Sequence, residues 1–154
     1  MKAGRVLKRA MPLAVILCAT FAGLGTAAQG DDSAWCPPPG HPERKAILDA
    51  LRTEVFRLHH IRVVFVVKDL KVEDGWAWIH TLPQSEDDTQ HYEDVSALME
   101  KKDGSWRVAE LACTEEDNPD CLGAPDFFER LRERHPGAPP GIFPSSKDRS
   151  SKKP

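Results

Sequence analysis

From Pro42 onward the chain is divided by the period of its hydrophobic residues. In "PERKAILDALRTEVFRLHH", residues 42–60, Ile47, Leu48, Leu51, Val55 and Leu58 recur at helical spacing and form one apolar stripe. Pro42 suits a first helical turn, where its missing N–H is not needed, and Glu43 complements the positive end of the helix dipole. After His60 the period falls to two. "IRVVFVVKDLKV", "GWAWIHTL", "HYEDVSALMEKK" and "SWRVAELAC" are rich in β-formers or alternate, and predict four strands. "VEDGWAW" and "KKDGSWRV" each place Asp-Gly between two of them, the composition of a two-residue hairpin turn, whose central residues need positive φ. The middle connection, "PQSEDDTQ", is longer and acidic. The simplest arrangement is an N-terminal helix packed on a four-stranded antiparallel meander.

Val63 to Val67 are apolar at consecutive positions, so that strand calls for cover on both faces. The first helix supplies one cover. A second, short helix in "APDFFERLRERH" supplies part of the other through Phe127, Phe128 and Leu131, with Pro125 near its start and Pro136-Gly137 at its end. "PGAPPGIFP" then runs extended and docks Ile142 and Phe143. The fold class is therefore α+β, in a single domain spanning 42–144. Residues 29–41, with three consecutive prolines, are expected to be an extended leader, and 145–154, "SSKDRSSKKP", a disordered basic tail without an apolar anchor.

The first 28 residues read as a cleavable secretory signal. Lys2, Arg5, Lys8 and Arg9 precede the short apolar core "MPLAVILCATFAGL", and small residues follow in "GTAAQG", with the cut placed after Ala28. The apolar stretch is shorter than the roughly 20 residues that span a bilayer. Leu17 before Cys18 is too bulky for a lipobox, and Lys8-Arg9 only approximates a twin-arginine pair. Export by general secretion is expected, to the periplasm or to the outside, with no membrane attachment after cleavage. Losing those four of the 21 basic residues leaves 17 against 24 acidic ones, near −7. Phosphate polymers repel such a chain, so nucleic acid is not an expected partner. In an oxidising compartment Cys113 and Cys121 make the preferred disulfide, closing "TEEDNPD" in a short loop, although spacing leaves pairings with Cys36 open.

One helix followed by a four-stranded meander, over roughly residues 42 to 113, resembles cystatin-like and NTF2-like α+β folds. With "GWAW" in its central hairpin, the chain is also similar to small exported bacterial proteins. The resemblance implies an architecture and no particular activity, because such folds host many functions.

Candidate chemistry is sparse. Trp76, Trp78 and His80 share one strand face. They either pack beneath a helix, with Trp106 in the analogous place after the second turn, or line an open aromatic wall with His80 as its polar group. His59 and His60 are accounted for by the C-terminal end of the first helix. His91 is expected at the surface. No zinc-ligand spacing, nucleophile elbow or phosphate loop is present, so neither metal nor cofactor is expected. His80 with Glu93 or Asp94 could form an acid-base pair if that face holds a pocket. The acidic stretches "SEDD" and "TEEDNPD" read as solvated loops or as a rim for a basic partner. The expectation is a non-enzymatic periplasmic binding module for an envelope protein or small ligand, using Trp76, Trp78, His80 and Trp106. The alternative is a cystatin/NTF2-like small-molecule binder or enzyme with a His80-containing pocket.

Overall fold

A computed structural model of the chain describes residues 33–115 and 118–145. The signal segment, residues 29–32 and all but the first residue of the tail lie outside the described residues. Seven elements follow in order: α1 (Pro42–His59), β1 (Val64–Glu73), β2 (Trp76–Gln84), β3 (Val95–Lys102), β4 (Ser105–Ala112), α2 (Phe127–Arg134) and a 3-10 turn, Pro140–Ile142. The strands form one antiparallel sheet in the order β1-β2-β3-β4, the predicted α+β meander.

The Asp-Gly turns behave as their composition requires. Asp74 and Gly75 have φ of 48° and 78°, and Asp103 and Gly104 have φ of 51° and 78°. Positive φ at both central residues matches the twist of the flanking strands. Gly75→Ala is expected to cost about 1 kcal/mol through backbone strain alone, because the added Cβ meets only ordinary contacts at Lys101. Urea denaturation measures it, and an unchanged midpoint would contradict the left-handed turn.

At the start of α1 the imidazole Nδ1 of His41 accepts the Glu43 N–H at 3.1 Å, a cap supplied by histidine in place of the usual hydroxyl or carboxylate. His60 closes the helix at φ 57°, its N–H donating to the Phe56 carbonyl at 2.9 Å. Ile47, Leu51 and Val55 are buried, but Leu58, expected on the same stripe, is exposed with the rest of the final turn. That turn gives the sheet no apolar side chain.

A bulge between Val67 and Asp69 shifts the alternation of β1 by one residue. Val63, Phe65 and Val67 therefore share the α1 side with Leu70 and Val72, where Ala77, Ile79, Ala97, Met99 and Trp106 complete the first core layer. On the other side Trp78 and Leu98 meet Phe127, Phe128, Leu131, Ile142 and Phe143. The expectation of double cover for β1 holds only in part. Val64 and Val66 remain 39% and 38% exposed, because α2 packs over β2, β3 and β4. Ile142 and Phe143 dock as predicted, though through the 3-10 turn and not through extended chain.

The described part of the leader, residues 33–41, turns at Pro39-Gly40 and is tied to the domain. Trp35 exchanges two backbone hydrogen bonds with Val72, at 3.0 and 2.8 Å, and covers part of the β1 edge. Cys113 and Cys121 form the preferred disulfide, with Cα atoms 4.8 Å apart, and Cys36 is free and exposed. No described helix is long and apolar enough to cross a membrane.

Candidate functional site

The row on β2 that sequence singles out does occupy one face, in three different environments. Trp78, at its centre, is 2% exposed and ringed by Phe128, Phe143 and Phe127, with ring centroids 5.1, 6.0 and 6.5 Å away. Its partners come from α2 and the segment after it, so the indole is the keystone of the second layer and is closed to solvent. Trp106 lies on the opposite face, under α1, and its Nε1–H donates to Glu43 Oε1 at 2.9 Å. The four candidate residues therefore do not converge on one surface.

Glu43 also accepts from the Lys101 ammonium, which clasps the start of α1 to the β3–β4 hairpin. Burial opposes its ionisation, but the Lys101 and Trp106 donors prevail and hold the carboxyl below its ordinary range.

At the far end of the row His80 meets Ser96 on β3 and Asp94 just before that strand. Its Nδ1 is 2.9 Å from Ser96 Oγ, and its Nε2 is 3.5 Å from Asp94 Oδ2. Of the two carboxylates considered for His80, Asp94 is the one within contact distance. An Asp-His-Ser chain is the pattern of nucleophilic catalysis, but that chemistry needs a hydroxyl a substrate can reach. Ser96 is only 2% exposed. The hydroxyl is spent on fixing the imidazole.

Trp76 and His80 are both part-exposed, and Trp76 is the one that faces a cleft. The cleft is open, of about 470 Å³, and lies between the β3–β4 hairpin and the chain leaving α2. His135 meets its ring edge-on, centroids 6.0 Å apart. Gly137 passes against the indole so closely that a Cβ there would sit 3.4 Å from the ring. Around the ring are two ion-paired sets. The Arg107 guanidinium donates through Nε and Nη2 to Glu100 Oε2, directly across the β3–β4 ladder. Arg134 donates to both oxygens of Glu110, at 2.6 and 3.2 Å, and His135 Nε2 lies 2.8 Å from Glu110 Oε2. Burial works against the charge on Glu110, and the Arg134 and His135 contacts overcome it, so its carboxyl too lies below the ordinary range. The same pairing holds the Arg134 guanidinium above its usual value.

Glu43 and Glu110, the more buried of the carboxyls held low, contribute acid sensitivity to the fold. A group with a depressed folded pKa contributes stability above its unfolded value, near 4.5, and loses it as pH falls through the folded value. Thermal midpoints are expected to be flat above about pH 5 and to drop below it. Glu43→Gln with Glu110→Gln is expected to lower the plateau and flatten the decline. An equally steep acid limb in that variant would place the sensitivity elsewhere.

Sequence reasoning missed Glu100, Arg107, Glu110, Arg134 and His135. One pair was within reach, since counting outward from the Asp103-Gly104 turn sets Glu100 opposite Arg107. The approach of His135 is tertiary and has no local signal. Two other clefts, of about 510 and 560 Å³, lie beside the disulfide loop and along the outer side of α2, and neither is lined by an aromatic ring. Among the described residues no three His, Cys, Asp or Glu side chains are placed to hold a metal ion. No protein-family model, curated protein or solved structure matches the chain.

Proposed function

We propose that the chain is an exported, periplasmic, non-enzymatic binding domain whose ligand or envelope partner is received at the Trp76 cleft. The observation that carries this reading is the contrast within one strand row: Trp78 is sealed into the core while Trp76 lines an open cleft flanked by two arginines and a histidine. An accessible indole beside convergent polar groups is the common composition of a binding site. Export is supported by the signal-like first 28 residues and by the Cys113–Cys121 bridge, which suits an oxidising compartment. A cystatin-like or NTF2-like relationship draws on element order alone.

The test passes envelope extract over the immobilised mature chain and over its Trp76→Ala variant. Material held by the first and released by the second is expected. Equal retention by both, or none by either, would remove the cleft from the account. The rival, an enzyme built on His80, draws on the Asp94–His80–Ser96 chain. It would gain the argument if His80→Ala abolished retention or turnover while Trp76→Ala spared them.

A further inference from the structure

The binding role proposed above, on which this inference rests, leaves the ligand's chemistry open. The charges around Trp76 narrow it. Two guanidiniums, Arg107 and Arg134, and two carboxylates, Glu100 and Glu110, border the cleft or stand directly behind it, each cation bonded to a carboxylate. Their formal charges cancel. An anion entering there meets no net positive field and approaches a chain with more acidic than basic residues. A cation finds both carboxylates engaged and less exposed than the arginines, at 26% and 27% against 53% and 44%.

What the cleft does offer is hydrogen bonding beside an apolar ring. Both arginines commit Nε and Nη2 to their carboxylates, which leaves Nη1 donors for another acceptor. The carboxylate oxygens retain lone pairs for a donor. An uncharged ligand whose groups both donate and accept, and which has a C–H face to lay on an indole, matches that set. The volume also falls within the roughly 300–1,000 Å³ of small-ligand sites, and the open side lets a chain continue beyond it. We infer that the Trp76 cleft binds a neutral glycan, with one sugar ring stacked on Trp76 and its hydroxyls bonded to Arg107 and Arg134.

The mature chain is titrated with maltohexaose, cellohexaose and chitohexaose while tryptophan emission is followed. In parallel it is sedimented with insoluble envelope polysaccharide. Saturable binding in at least one arm is expected, with the soluble arm indicating a free oligosaccharide and the sedimenting arm alone indicating a structural polymer. Affinity is expected to fall at least about tenfold in Trp76→Ala and to stay within about threefold in Trp76→Tyr, which keeps a stacking ring. Arg107→Ala should weaken binding in a protein that still gives a cooperative melting transition, the freed Glu100 lowering its midpoint modestly. Affinity should change less than about twofold between ~0.05 and ~0.5 M salt, because the ligand carries no charge to screen. Sugar bound equally well by Trp76→Ala overturns the inference. So does silence in both arms while envelope material is still held in a Trp76-dependent way, which spares the cleft and rejects the glycan. Silence in both arms with no such retention rejects both.

Discussion

Trp78→Ala is expected to destabilise the fold by about 3–5 kcal/mol, the range for deleting a large aromatic from a core. The expectation comes from the way the second layer is built. Phe127 and Phe128 enter from α2 and Phe143 from the segment after the 3-10 turn, and all three pack on the Trp78 ring. Alanine would leave them facing a hollow over Leu98 that α2, only eight residues long, has little other surface to offset. α2 should loosen first, so near-ultraviolet dichroism should fade before far-ultraviolet dichroism does. Urea denaturation gives the magnitude, and a loss below about 1 kcal/mol would mean that the ring is not the keystone described.

The double variant Cys113→Ser, Cys121→Ser is expected to lose about 2–3 kcal/mol by the loop-closure argument for so short a bridge. The location magnifies the consequence. Cys113 follows the last residue of β4, Cys121 is fully buried, and the Leu122 N–H donates to the Cys113 carbonyl at 3.0 Å. The bridge thus fixes where the chain departs toward α2, whose far end supplies Arg134 and His135 to the cleft. Loss of the bridge should weaken binding as well as stability. In the single variant Cys113→Ser, Cys121 is left with the exposed Cys36 as its available partner, and non-reducing electrophoresis should reveal mispaired species. A double variant with unchanged melting temperature would show the bridge to be dispensable.

The elements were legible because local chemistry dictates them. Asp-Gly pairs announce both hairpins, the stripe through Ile47, Leu51 and Val55 announces α1, and Phe127, Phe128 and Leu131 announce α2. The site was legible only in part. Alternation assigns Trp76, Trp78 and His80 to one face but says nothing of depth, which depends on where α2 crosses the sheet. It also places Trp106 relative to its own strand only, and the pairing of β3 with β4 sends that ring to the α1 side. The bulge after Val67 has no plain signature in a run of valines, so the exposure of Val64 and Val66 was hidden as well. His135 reaches Trp76 from 59 positions along the chain, through the tertiary path of α2.

Trp76, unlike the core rings of Trp78 and Trp106, lines an open cleft. The chain has four tryptophans, at 35, 76, 78 and 106, and each gives one indole N–H signal in a nitrogen–proton correlation spectrum. Those signals, assigned by single replacement, should be followed while the retained envelope fraction or the best-bound hexasaccharide is titrated into the mature chain. The Trp76 signal is expected to move, with Trp78 and Trp106 fixed. Movement at Trp35 or Trp106 with Trp76 unmoved would contradict binding at the Trp76 cleft.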